Sequence, residues 1–323
     1  MNVEQLAKLQ YKQVNSIYPI IGGECNLQTV NAEPWLKVSD EGITLEGLCF
    51  DRQGNLYFVD CSGDNVCRGS FPDREIKIIY HSPGLHPAAV KIHKDGRLFV
   101  CAVGDLKSTG CILAMQPDGS DVEEIVPPSA GYCVNDMVFD QKGGFYFTDF
   151  KGIPTNTIGG VYYVSPDFGT ILPVLQNMAA PNGVALSKNQ KYLWVTEFNA
   201  NRLHHINLLE DGIQIAPYGA FIPYTFTGYR GPDSCCIDSN DNLYVAMARQ
   251  GRVLIFNKTG FPIGQVLIPG RDKGNMVNTT HPAFIPGTDQ LIICTNDGTN
   301  GGGAWVYIAR GFTTGHLGYQ FSE

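Results

Sequence analysis

Apolar and polar positions along this chain fall into one phrase that keeps returning: an apolar strand, a polar turn, then a second strand rich in aromatic and β-branched residues. It reads as a hairpin in EGLCFDRQGNLYFVD (46–60). It recurs as AAVKIHKDGRLFV (88–100), NDMVFDQKGGFYFTD (135–149), NGVALSKNQKYLWVTE (182–197), DSCCIDSNDNLYVAM (233–247) and HPAFIPGTDQLIICTND (281–297). The starts are separated by 42, 47, 47, 51 and 48 residues, a period suited to propeller blades. Between copies lie further strand patterns, such as GGVYYVSPDF (159–168), NRLHHINL (201–208), GRVLIFN (251–257) and GAWVYIAR (303–310). The pattern therefore predicts an all-β, six-bladed propeller of four-stranded antiparallel blades.

No repeat carries ten or more residues with apolar positions at helical spacing, so a helical solenoid is excluded and helix is expected only in MNVEQLAKLQ at the N-terminus. No linker splits the chain, which predicts one domain over 1–323, with residues 1 to about 30 as a peripheral extension. The stretch Ala32–Lys37 is expected to add an edge strand that helps close the ring, on a blade the pattern does not specify. The 37 glycines and 19 prolines fit frequent turns between short strands.

A formal net charge of −8 argues against nucleic acid and anionic membrane as partners, since both need clustered Lys and Arg. With no signal-like start and no apolar run of about 20 residues, the expected location is cytoplasmic. The ten cysteines contain no CxxC pair and fall mostly at strand positions, so they are expected as reduced thiols acting as small hydrophobes. There is no GxSxG, GxxxxGK or GxGxxG, which disfavours a serine nucleophile elbow and a nucleotide site. DSNDNL (238–243) lacks the sixth-position Gly and distal Glu of a calcium loop and reads as a hairpin turn.

In a propeller the innermost strands line a central channel, so equivalent positions meet around one axis. The first residues of the six copies are Glu46, Ala88, Asn135, Asn182, Asp233 and His281. Glu46, Asn135, Asn182 and Asp233 form a hard-oxygen set, with two carboxylates to balance a divalent charge, and predict Ca²⁺ on the axis. At the second positions, Gly47 and Gly183 leave room, while Asp136 and Ser234 offer further oxygens. Each such residue taken singly is equally well explained as a turn cap.

The blade starts Glu46, Asn135-Asp136, Asn182-Gly183 and Asp233-Ser234 resemble those of the regucalcin/gluconolactonase (senescence marker protein) family. KIHKDGRLFVC, KGGFYFTDF, GGVYYVSPDF and GPDSCCIDS are similar to its bacterial drug-responsive lactonase branch, over nearly the whole chain from Trp35 onward. The resemblance implies a calcium-dependent lactonase that hydrolyses the ester bond of a small-molecule lactone to a hydroxy acid. It implies metal ligands at Glu46, Asn135, Asn182 and Asp233 with Ser234 adjacent, and Asp233 as proton donor. It also implies a second calcium at the loop of Ser108, Thr109 and Gly110 and a following loop ending near Tyr132, with Asp136 as a further candidate. That second loop, Pro127–Gly131, carries no acidic side chain.

On this reading the axial metal stabilises the oxyanion formed when water attacks the lactone carbonyl. Asp233 moves the proton between water and leaving alkoxide, and His281 is a second proton-transfer candidate because an ordinary imidazole titrates near neutrality. The segment FIPYTFTGYRGPD (221–233) is a candidate wall or lid over the pocket, equally well explained as surface loop packing. Two readings compete with catalysis: a non-catalytic calcium or small-ligand-binding propeller, and a protein-interaction scaffold, which would need a large apolar rim.

Overall fold

The computed structural model describes residues 18–322, apart from 71–73 and 230, so the helix expected at the N-terminus lies outside the described residues. The six hairpin phrases are the two innermost strands of six antiparallel sheets. The inner strands are Leu45–Phe50, Pro87–Ile92, Val134–Phe139, Pro181–Leu186, Pro232–Ile237 and Asn278–Phe284. In blades one to four the chain runs outward through four consecutive strands before crossing to the next inner strand.

Each sheet is apolar on both faces, and each interface between neighbouring blades is a core of its own. Tyr57 and Val59 of blade one pack with Val90 and Val100 of blade two. Phe99 of blade two packs with Phe139, Phe145 and Phe147 of blade three. The same holds between blades three and four, four and five, five and six, and six and one. No blade buries its faces without two neighbours, which makes ring closure obligatory.

Closure uses the N-terminal segment. The last blade supplies Asn278–Phe284, Gln290–Asn296 and Ala304–Arg310, and its outermost strand is Glu33–Ser39, antiparallel to Ala304–Arg310. This is the edge strand expected at Ala32–Lys37, now assigned to blade six. Just before it, Gln28–Asn31 pairs in parallel with Pro262–Leu267, giving blade five a fifth strand beyond the four expected. The entry to this segment is pinned by Glu24, whose carboxylate lies 2.6 Å from the buried guanidinium of Arg252 and also accepts from the Tyr224 hydroxyl.

All ten cysteines are free thiols, seven of them buried. Among the described residues no helix is long and apolar enough to cross a membrane.

Candidate metal centre

Every inner strand carries a β-bulge at its ring position. In blade three Val134 stands opposite Asp149 but Met137 opposite Phe147, so three residues advance against two. The same shift occurs between Glu46 and Cys49, Pro87 and Ala89, Pro181 and Val184, Pro232 and Cys235, and Thr279 and Pro282. A bulge adds one residue to a strand and re-aims its side chain. Ala88, Asn135, Asn182 and Asp233 lie within these shifts and Glu46 directly before one, the five ring positions read from the repeat.

The sixth position differs by one residue. Phe284 pairs with Leu291 as Phe139 pairs with Phe145, but the blade-six hairpin, 285–290, is one residue longer than 140–144. Counting back from Phe284 makes Thr280 the counterpart of Asn135, and places His281 at the second position, with Gly47, Ala89, Asp136, Gly183 and Ser234. His281 still faces the ring: its Nδ1 is 3.5 Å from Glu46 Oε2.

Hydroxyls stitch the bulges together. Thr148 Oγ1 accepts from the Asp136 N–H (3.1 Å) and donates to the Asn182 carbonyl of the next blade (2.6 Å). Thr196 repeats this with the Gly183 N–H and the Asp233 carbonyl, both 2.7 Å. Thr280 donates to the Leu45 carbonyl at 2.6 Å, across the closing interface. Small second-position residues allow this approach: a Cβ on Gly47, whose φ is +66°, would lie 2.5 Å from Val90 N.

Glu46, Asn135, Asn182 and Asp233, at equivalent places on four inner strands, are all buried. Asp233 accepts from the Asn182 side-chain amide and the Ser234 N–H, yet burial pushes its carboxyl up to about 8. Glu46 is held well above the usual carboxylate range by burial, then by the charges of Asp233 and Asp136. Its Oε2 is buried and has no hydrogen-bond partner. Crowded, desolvated carboxylates with an orphaned oxygen, beside two amide side chains, form a donor set that fits a hard divalent cation. Among the described residues no three His, Cys, Asp or Glu side chains gather as a metal-ligand group, and two of the four oxygen donors, Asn135 and Asn182, are asparagines.

One residue at the site escaped the sequence reading. Lys91, on the blade whose ring position is Ala88, projects into the channel with Nζ 3.4 Å from Asp136 Oδ1 and 3.5 Å from His281 Nε2. Burial alone would push this lysine down, but Asp136 keeps it above its ordinary value. A signal did exist: its equivalents in the other blades are Cys49, Val138, Ala185, Cys236 and Ala283, so a charge stands at a position otherwise small and apolar. His281, deeply buried beside this ammonium, is pushed well below its usual range, first by burial and then by Lys91.

Of the residues implied for a second metal, Gly110 and Tyr132 do meet, the Gly110 N–H donating to the Tyr132 carbonyl at 2.8 Å. The Ser108 N–H is turned to the Asp105 carboxylate of its own loop, at 2.8 Å. Asp136 is fully buried, and its carboxylate accepts from the Met137 N–H and faces Lys91. Beside Tyr132 the loop already holds a cation: the Lys151 ammonium donates to the Gly131 carbonyl, lies 3.4 Å from Asp149 Oδ2 and sits over the Tyr132 ring.

The two ends of the channel differ. Beyond the ring, past Lys91 and His281, a cavity of about 160 Å³ is lined in part by the C-terminal residues His316, Leu317, Gly318, Gln320 and Phe321. At the other end, Cys61, Val103, Phe150, Phe198 and Ala248 occupy equivalent places, each donating its N–H to the loop entering an inner strand. Phe150 and Phe198 pair at 5.7 Å, and Phe150 packs on Ala88, Val103 and Cys133, so the mouth is apolar on the side of blades two to four. Residues 221–225 belong to the outermost strand of blade four, Ile215–Thr225, and Phe226 is buried in the core between blades.

The sequence profile described as SMP-30/Gluconolactonase/LRE-like region matches residues 45–296. The chain is 60% identical over 323 residues to lactonase drp35 of Staphylococcus saprophyticus, covering 99% of this chain and 100% of that one. It is 58% identical to lactonase drp35 of Staphylococcus aureus, covering 99% of each. Among solved structures, regucalcin from Agrobacterium tumefaciens, described as a calcium-binding protein, superposes with a TM-score of 0.73 at 15% identity, over 92% of this chain and 99% of that one. By profile, by identity along its whole length and by fold, this chain belongs to the SMP-30/gluconolactonase/LRE-like family.

Proposed function

We propose that this protein is a calcium-dependent lactonase that opens a lactone to its hydroxy acid at the axial ring of Glu46, Asn135, Asn182 and Asp233. The observation that carries this reading is the buried oxygen set with an unpartnered Glu46 Oε2. The drp35 relatives, named lactonases, support the reaction class. A divalent ion held there supplies Lewis-acid polarisation of the lactone carbonyl and relieves the repulsion between the two carboxylates.

The chain's own residues supply the rest. Asp233 takes the proton of the attacking water and returns it to the alkoxide oxygen of the opened ring, while the Asn182 amide and Ser234 N–H fix its orientation. His281, almost fully buried between Lys91 and Glu46, suits holding Glu46 in place better than exchanging protons with solvent. The Phe150–Phe198 side of the mouth gives the carbon skeleton an apolar wall.

Asp233→Ala and Asn182→Ala are expected to lose calcium affinity and lactone hydrolysis together, measured by calorimetry and by turnover of a lactone panel with calcium and with chelator. Full turnover by metal-stripped protein would sink the reading. Calcium binding without turnover on any lactone would instead favour a binding propeller. For His281→Gln, an altered pH profile of hydrolysis would return that residue to proton transfer, whereas loss of calcium affinity with an unchanged profile fits the positioning role.

A further inference from the structure

Blade two contributes no oxygen to the ring, but it contributes an ammonium, Lys91, set 3.4 Å from Asp136 Oδ1 and 3.5 Å from His281 Nε2, which acts on Glu46 against the charges of Asp233 and Asp136. With a cation present, which favours ionised carboxylates, Glu46, Asp233 and Asp136 bring three negative charges and Lys91 one positive, a net of −2. An ammonium 3.5 Å from His281 Nε2 favours that nitrogen as an acceptor, which puts the proton on Nδ1, 3.5 Å from Glu46 Oε2 but not hydrogen-bonded to it, and leaves the imidazole neutral. The channel around the ring thus carries a charge that one divalent ion cancels.

We propose that Lys91 is the residue that sets the ion-charge preference of the axial site, holding it at divalent by offsetting Asp136. Asp136 is fully buried and its side chain points to Lys91 and to backbone N–H groups, so it tunes the ring through charge and not by reaching the ion. This inference rests on the axial-ion reading above. Both residues are positioning residues, because neither is placed in contact with ion or substrate.

The test is competition between Ca²⁺ and terbium(III), read by terbium luminescence and by calorimetry on the full chain. Lys91→Met raises the site to −3 and is expected to shift the preference toward Tb³⁺ by about a hundredfold, the order expected for one unit charge about 4–8 Å away at an effective dielectric of about 20. Asp136→Asn lowers it to −1 and shifts the preference the other way. Lys91→Arg, and the double change Lys91→Met with Asp136→Asn, keep −2 and are expected to keep the wild-type ratio. The double variant removes the buried pair as a unit, which leaves no unpaired charge and guards against a folding failure of either single change. An unchanged ratio in folded Lys91→Met or in Asp136→Asn, or a shifted ratio in the double variant, overturns the assignment while leaving the axial site standing. A wild-type protein that binds neither Ca²⁺ nor Tb³⁺ overturns both.

Discussion

At the scale of single residues, burial changes the chemistry of side chains whose type alone says little. His205 is sandwiched between Tyr192 and Phe221, with ring centroids 4.5 and 4.8 Å away, and its Nδ1 has no partner. Burial pushes it down to about 4, against about 6.5 for an exposed histidine. Between these values the unfolded chain binds the proton and the folded chain does not, so the contribution of this histidine to stability is intact above pH 6.5 and is lost as the pH falls toward 4. His205→Phe is expected to flatten the acid side of the thermal midpoint–pH curve relative to wild type, with little difference at pH 7.5. Equal slopes for the two proteins between pH 6.5 and 4.5 would exclude His205 from the acid response.

At the scale of the strand, the bulge is the working part. It falls at the ring position of each blade, where Thr148, Thr196 and Thr280 tie peptide groups to the neighbouring blade. Gly47 shows how little room is left: its left-handed backbone and the 2.5 Å approach to Val90 N forbid a side chain. Gly47→Ala is expected to cost about 1–3 kcal/mol in urea unfolding and to weaken calcium binding, because Glu46 is the preceding residue. The hairpin phrase announced these strands, but the bulge has no local signature. An extra residue becomes visible only against the partner strand, and so does the longer turn of blade six, 285–290 against 140–144, which is why the count there ran one residue off, onto His281 where Thr280 stands.

Over the whole molecule, stability depends on contacts between distant parts of the chain. Glu24 lies far in sequence from Arg252, yet both are buried and within 2.6 Å of each other, with Gln265 3.2 Å from the same guanidinium nitrogen. Removing one partner leaves the other charge uncompensated, so Glu24→Ala is expected to lower stability by about 3–5 kcal/mol, read as an earlier urea midpoint, and to loosen the strands that close the ring. Replacing both members, Glu24→Gln with Arg252→Met, is expected to recover much of that loss; no recovery would place the effect in the Tyr224 contact instead.

The sequence by itself determined the number of blades and the register of five inner strands, and from that register singled out Glu46, Asn135, Asn182 and Asp233. Those features repeat within windows of about fifteen residues, and alternation, turn residues and position in the repeat are local properties. Only the tertiary structure decided what depends on partners distant along the chain: which blade Glu33–Ser39 completes, the fifth strand at Gln28–Asn31, the Thr280 register and the meeting of Lys91, Asp136 and His281. Lys91 stood at an apolar repeat position, but its significance depends on the Asp136 and His281 side chains that folding brings to it from two other blades.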